Sequence, residues 1–227
     1  MAVCVRYGKR VEIPGHGEGV LRPMAMGITR KISKILDIPA VFVLQQKIGN
    51  TFSTLRTHFA PELAGGGLSI LDVGCGTGTC GANFIDMKRN AYTGVDIVPQ
   101  YINWAAAHYP HGKYIAHDAR SLPFPDHSFD VATFVGVLHH MDDQLAMDCL
   151  ASVRRVLKPT GQLLVAEPIF SDGKPLSSFF LRHDRGNFIR PADGYEKLLR
   201  DFQDIRQDRF PFSLHTFASF RARPRPA

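Results

Sequence analysis

A parallel α/β sheet is the fold this sequence predicts, on three observations. From Leu68 onward short apolar runs alternate with helical patterns, the runs end in Gly, Asp or Pro, and the last two strands are joined by too few residues for a helical crossover. In order, Leu68–Val73 is a buried strand, Thr79–Lys88 a helix and Ala91–Val95 a strand. Pro99–His108 is a helix with proline in its first turn, followed by a strand at Lys113–His117. Phe129–Val137 is a strand, Asp142–Leu157 a helix opened by two aspartates, and Gln162–Glu167 a strand after Pro159-Thr160-Gly161. Ala192–Phe202 reads as a helix. Asp204–Arg209 and Leu214–Arg221 are strands linked by Pro211-Phe212-Ser213, so this pair should be antiparallel.

The 227 residues allow one large domain with an appendage, and 44% hydrophobic with 21% charged residues suits a globular chain. Residues 1–65 read as an irregular arm followed by two amphipathic helices. Ile28, Ile32, Ile35 and Leu36 mark the first, and Val41, Leu44, Ile48, Phe52, Leu55 and Phe59 the second, with Gly65-Gly66-Gly67 as a hinge. These helices are expected to act as a lid. Residues 66–221 form the main domain, with an apolar insertion at about 168–190, and 222–227 form a basic tail expected to fray. No run reaches the roughly 20 apolar residues of a membrane span, and the first residues lack a signal-peptide apolar core, so a cytoplasmic location is expected. Four scattered cysteines fit reduced thiols rather than a disulfide frame, and ten histidines form no ligand-spaced cluster, so no metal is expected. The net charge of +6 is divided as +5 over residues 1–67, −3 over 68–181 and +4 over 182–227. Basic residues are dispersed and not interleaved with aromatics, which argues against a nucleic-acid surface.

The chemistry is written in the loops. The first strand runs into Asp72-Val73-Gly74-Cys75-Gly76-Thr77-Gly78, where alternate glycines let the backbone approach a ligand. The next strand ends in Asp96, 18 residues beyond Gly78, where a carboxylate can accept from both ribose hydroxyls. Gly76-x-Gly78-x-x-Gly81 with Asp96 also satisfies a nicotinamide-binding spacing, but that register ignores Asp72. A third strand end carries Asp118-Ala119, placing another acidic group at the same crevice.

Together, Ile70 to Gly78, Gly94-Val95-Asp96, Asp118, Leu122-Pro123-Phe124, Ser128-Phe129-Asp130, Val137-Leu138-His139-His140 and Arg155 to Gly161 resemble the motif set of class I S-adenosylmethionine-dependent methyltransferases, nearest the quinone-biosynthesis branch. The resemblance covers about residues 66–168. It implies a seven-stranded, mostly parallel sheet with a reversed final hairpin, and S-adenosyl-L-methionine as cofactor. It further implies that Asp72 with Gly74, Cys75, Gly76 and Gly78 holds the methionine part, Asp96 the ribose with Ile97 near adenine, and Asp118 the adenine amino group with Ala119 beside it. Val135 and Gly136 would close over the cofactor.

Methyl transfer from a sulfonium is an in-line displacement that needs a base only when the acceptor proton has a high pKa. His139 and His140 follow the fourth strand at the ligand edge and are the candidate catalytic residues, with Glu167 a weaker candidate base. The expected acceptor is a small hydrophobic or aromatic molecule, lined by Phe170, Leu176, Phe179, Phe180, Leu181, Phe188 and Ile189 and by Phe42, Phe52 and Phe59. Core packing explains the N-terminal stripe equally well. His183-Asp184-Arg185-Gly186-Asn187, and Gln45 with Gln46, are polar positions that either bind the acceptor or make turns. Two alternatives keep the fold: a cofactor-binding protein that moves no methyl group, and a nucleic-acid methyltransferase, against which stands Gly136-Val137-Leu138-His139 in place of an Asn-Pro-Pro-Tyr-like tetrapeptide.

Overall fold

The computed structural model describes residues 51–171, 173–182 and 186–225, together with two short strands near the start. Those strands, β1 (Cys4–Arg6) and β2 (Lys9–Val11), pair antiparallel where an irregular arm is expected. The first amphipathic helix, the earlier part of the second, and Phe42, Gln45, Gln46 and His183 to Arg185 lie outside the described residues.

The remaining elements are α1 (Thr51–His58), α2 (Ala60–Leu63), β3 (Ser69–Val73), α3 (Thr79–Phe84), β4 (Ala91–Asp96), α4 (Pro99–His108), β5 (Lys113–Ala116), β6 (Phe129–Val135), α5 (Asp143–Val156), β7 (Leu157–Ile169), α6 (Pro175–Arg182), α7 (Ala192–Leu198), β8 (Phe202–Phe212) and β9 (His215–Pro224). Seven strands form one sheet in the order β5-β4-β3-β6-β7-β9-β8. The first five are parallel, and β9 is antiparallel to both β7 and β8. No described helix is long and apolar enough to cross a membrane.

Strand alternation sorts the core into two layers. Leu71, Val73, Ala132, Phe134, Leu163 and Val165 face a layer closed by α5 and α7. Ile70, Val131, Leu164 and Ala166 face the other, closed by Leu55 and Phe59 of the α1 segment, Phe84 of α3, and Phe210 and Phe217 of the final hairpin. Leu55 and Phe59 are wholly buried, so this stretch is core of the domain rather than a detachable lid.

Several boundaries differ from those read in the sequence. Helix α3 stops at Phe84, four residues early, because Ile85 turns extended into the core and Asp86 accepts from the Lys88 N–H in a side-chain turn. Asp142 caps α5 from outside, accepting from Leu145 N–H at 2.9 Å. Strand β7 begins at Leu157. Phe129 pairs with Leu157 but Val131 with Gln162, so Lys158 to Gly161 bulge out of a continuous strand instead of preceding it. Pro211 lies inside β8, tolerated because β8 is an edge strand. The frayed tail is also corrected. Arg223 and Pro224 pair with Gln203 and Phe202, and Arg225 Nε donates to Phe202 O, so the basic end as far as Arg225 is held against the edge strand β8.

His58 anchors α1 on the hairpin. Its ring stacks on Phe210 at 4.3 Å, its Nε2 lies 2.7 Å from Ser219 Oγ, and Arg221 bridges His58 O and Glu62. Burial, then the Arg221 charge, hold this imidazole below its ordinary value against the opposing pull of Asp208 and Glu62. The unfolded chain therefore takes up a proton that the folded one resists. The stability linked to His58 is full above about pH 6.5 and declines as pH falls through that value. Urea midpoints measured between pH 7.5 and 5.5 should fall in the wild type, and His58→Gln should flatten that slope.

Candidate active site at the carboxyl edge

The loops that leave β3, β4, β5 and β6 gather at one edge of the sheet, where ligands bind in open parallel sheets. They line an open cleft. Gly74, Asp96, Ile97, Asp118 and Ala119 line it, together with Arg120, Met141, Leu145 and Cys149, which the sequence reading did not single out.

The loop after β3 turns through three left-handed glycines, Gly74, Gly76 and Gly78, at φ of +72°, +56° and +72°. This path aims the Gly76 N–H at Asp96 Oδ2, 2.8 Å away, while Val98 N–H donates to Oδ1 at 3.0 Å. These amides take two of about four acceptor positions of the carboxylate and fix its orientation. Cys75 is buried beneath the loop, and a Cβ at Gly94 would crowd its sulfur.

Asp72 is placed differently from Asp96. It is buried in the sheet, where Tyr92 Oη donates to Oδ2 at 2.6 Å and Thr133 Oγ1 to Oδ1 at 2.7 Å, so it braces β3 to both neighbours. Burial and the Asp72 charge push the Tyr92 hydroxyl well above its ordinary value, which keeps it a donor. A Cβ at Gly81 would overlap the Tyr92 ring, which gives the third glycine a packing role. Asp118 reaches the cleft, but its carboxylate is bidentate to Arg120 and caps the following turn through Arg120 N–H. Burial pulls that carboxyl up, and the Arg120 hydrogen bonds outweigh it and hold the group below its ordinary value. Val135 packs into the core layer of Phe210 and Phe217 rather than lining the cleft.

His139 and His140 sit on a 3-10 turn, Leu138–His140, directly after β6, with their rings 4.0 Å apart. Glu167, fully buried near the end of β7, fixes this turn. Its Oε1 accepts from Val137 N–H at 2.8 Å and Leu138 N–H at 2.7 Å, and its Oε2 lies 2.7 Å from His139 Nδ1. Glu167 is therefore a holder of His139 rather than a second base. A carboxylate only accepts, so Nδ1 carries the ring proton and Nε2 is the basic nitrogen. Strand β1 packs on the same turn. Gly186 covers the ring from the opposite side, where a Cβ would overlap His139 Cδ2. Leu176, Phe179 and Phe180 of α6, with Phe170 and Phe188, are exposed on the insertion, while Leu181 is buried.

Residues 70–161 match the family model described as a methyltransferase domain. The chain is 33% identical over 159 residues to an O-methyltransferase of Penicillium expansum, covering 63% of this chain and 56% of that protein. It is equally 33% identical over 160 residues to a ubiquinone/menaquinone biosynthesis C-methyltransferase of Shewanella piezotolerans, covering 62% of each. The chain thus spans a little over half the length of these relatives. Among solved structures, human N-acetylserotonin methyltransferase in complex with SAM superposes with a TM-score of 0.68 at 19% identity, covering 88% of this chain and 59% of that one. The fold is the class I methyltransferase fold.

Gly186→Ala must displace the His139 ring, at a cost of about 1–3 kcal/mol for overpacking. Thermal melting should show a lower Tm than for Gly65→Ala, whose added methyl meets nothing within 4 Å.

Proposed function

We propose that this chain is an S-adenosylmethionine-dependent methyltransferase whose acceptor is a small, apolar molecule bearing an aromatic hydroxyl. The carrying observation is the juxtaposition of two devices at one sheet edge: a glycine loop holding a buried acidic group, and an imidazole whose Nδ1 is held by a buried carboxylate.

The cleft suits the cofactor by its chemistry. Asp96 offers oriented acceptor oxygens to a ribose diol, Ile97, Ala119, Met141 and Leu145 offer an apolar slot to a flat base, and the left-handed glycines leave room for backbone contact with the amino-acid end. Asp72 would support that end through the loop it braces, not by direct contact. Bound there, S-adenosylmethionine supplies an electrophilic methyl group on a sulfonium.

His139 acts on the acceptor. With Nδ1–H donated to Glu167, Nε2 takes the proton from the acceptor hydroxyl as the oxygen, or the ring carbon it activates, becomes the nucleophile. Glu167 keeps the ring in this tautomer and stabilises the imidazolium that forms. An O-methyltransferase and a quinone-biosynthesis C-methyltransferase among the relatives support an acceptor of this kind. The exposed phenylalanines of the insertion supply apolar surface at the same edge.

Calorimetric titration tests the cofactor. S-adenosylmethionine and S-adenosylhomocysteine should bind, NADH should not, and Asp96→Ala should abolish binding. Binding of NADH alone would overturn the assignment. Turnover is read as S-adenosylhomocysteine formed from a panel of hydroquinones and catechols. His139→Gln should lower kcat by about 10²–10⁴-fold with S-adenosylhomocysteine affinity unchanged, and unchanged kcat would remove His139 from the mechanism.

A further inference from the structure

The turn that carries His139 is gripped from two sides, and only one grip lies on a strand. Glu167 gathers its amide end. Its carbonyl end is gathered by Arg190, a buried residue just before α7. Arg190 Nη1 donates to Leu138 O at 3.0 Å and to Phe188 O at 2.9 Å, and Nη2 donates to Met141 O at 2.7 Å. Nε and Nη2 both reach Asp143 Oδ1, at 2.9 and 2.6 Å. The backbone completes the grip, with Phe188 N–H donating to His139 O at 3.0 Å. Tyr195 links the two grips. Its hydroxyl accepts from Arg190 N–H at 3.3 Å and donates to Pro168 O, beside Glu167, at 3.2 Å.

We propose that Arg190 is a positioning residue, which orients the His139 imidazole by holding the Leu138 and Met141 carbonyls at the two ends of its turn while Glu167 holds the turn's amides. For catalysis this rests on the reading of His139 as the base. Only a guanidinium presents its donors as a rigid planar fork able to reach carbonyls of three residues and a carboxylate at once, and lysine's single ammonium on a flexible stem does not. The same contact holds the Phe188 backbone, two residues beyond the Gly186 that packs on the ring, so Arg190 fixes both the tilt of His139 and the wall beside it. A displacement of about 1 Å at such a base costs on the order of 10²-fold in rate.

The test uses the full chain, labelled with ¹⁵N-histidine, with His139 assigned by its loss in His139→Gln. The wild type should show a protected, far-downfield Nδ1 proton on His139. Arg190→Gln should broaden or lose that signal and lower kcat on the hydroquinone panel by about 10²-fold, with S-adenosylhomocysteine affinity kept. Arg190→Lys should recover only part of either readout. Asp143→Asn, which alters only the exposed end of the clamp, should weaken the signal less and serves where Arg190→Gln does not fold. An unchanged His139 signal in either folded variant overturns the proposal, as does loss of signal and S-adenosylhomocysteine affinity in step with loss of folded protein. Turnover that survives His139→Gln would sink the base reading alone, since the proton signal reports on Arg190 independently.

Discussion

A carboxylate with no exposure to water, such as Glu167, is tolerated only when donors converge on it. Left uncompensated in the interior, it would cost several kcal/mol. Here the donors are backbone amides of Val137 and Leu138 and the ring of His139, all from the chain just after β6. Satisfying Glu167 therefore dictates where that chain turns, and the turn dictates where the imidazole points. Strands β6 and β7 are adjacent in the sheet, so both halves of this arrangement are fixed by the same ladder.

Asp72, Asp96 and Asp118 show how one residue type does three jobs in one fold. Two hydroxyl donors keep Asp72 inside the sheet as a brace. Two amides hold Asp96 at the cleft wall. Arg120 engages Asp118 as a bidentate ion pair at the opposite wall, a charge-assisted contact stronger than a neutral one. The difference lies in which donors the neighbouring strands and loops present, and it separates the group best placed to meet a ligand from two that chiefly hold structure.

The division of labour follows the chain. The stretch matching the methyltransferase domain, 70–161, contains the glycine loop, Asp96, Asp118 and the histidine turn. Glu167, Gly186 and Arg190 lie beyond it, as do the exposed aromatic residues of α6. The glycine loop and the aspartates thus lie in the matched stretch, while the residues that hold the His139 turn come from the end of β7 and the segment between β7 and α7. The two stretches meet at the Leu138–His140 turn, which Glu167 and Arg190 both hold.

The alternation of short apolar runs with helical patterns determined the sheet and its reversed hairpin by itself, because strand period and loop length are local properties. The glycine loop and the positions of Asp96 and Asp118 were equally legible, since close backbone approach at a strand end demands those residue types. Three things were decided only by tertiary structure. Asp72 became a brace because Tyr92 and Thr133, 20 and 61 residues away, meet it across the sheet. The basic end became the last part of an inner strand because Phe202 and Gln203 of the edge strand β8 offered backbone to pair with. Arg190 was one basic residue among many in a cationic C-terminal third, and its role emerged only where carbonyls from a turn some 50 residues earlier converged on its guanidinium. Local sequence records what a segment tends to form. It does not record which distant donor will meet which acceptor, and at this site that meeting sets the geometry.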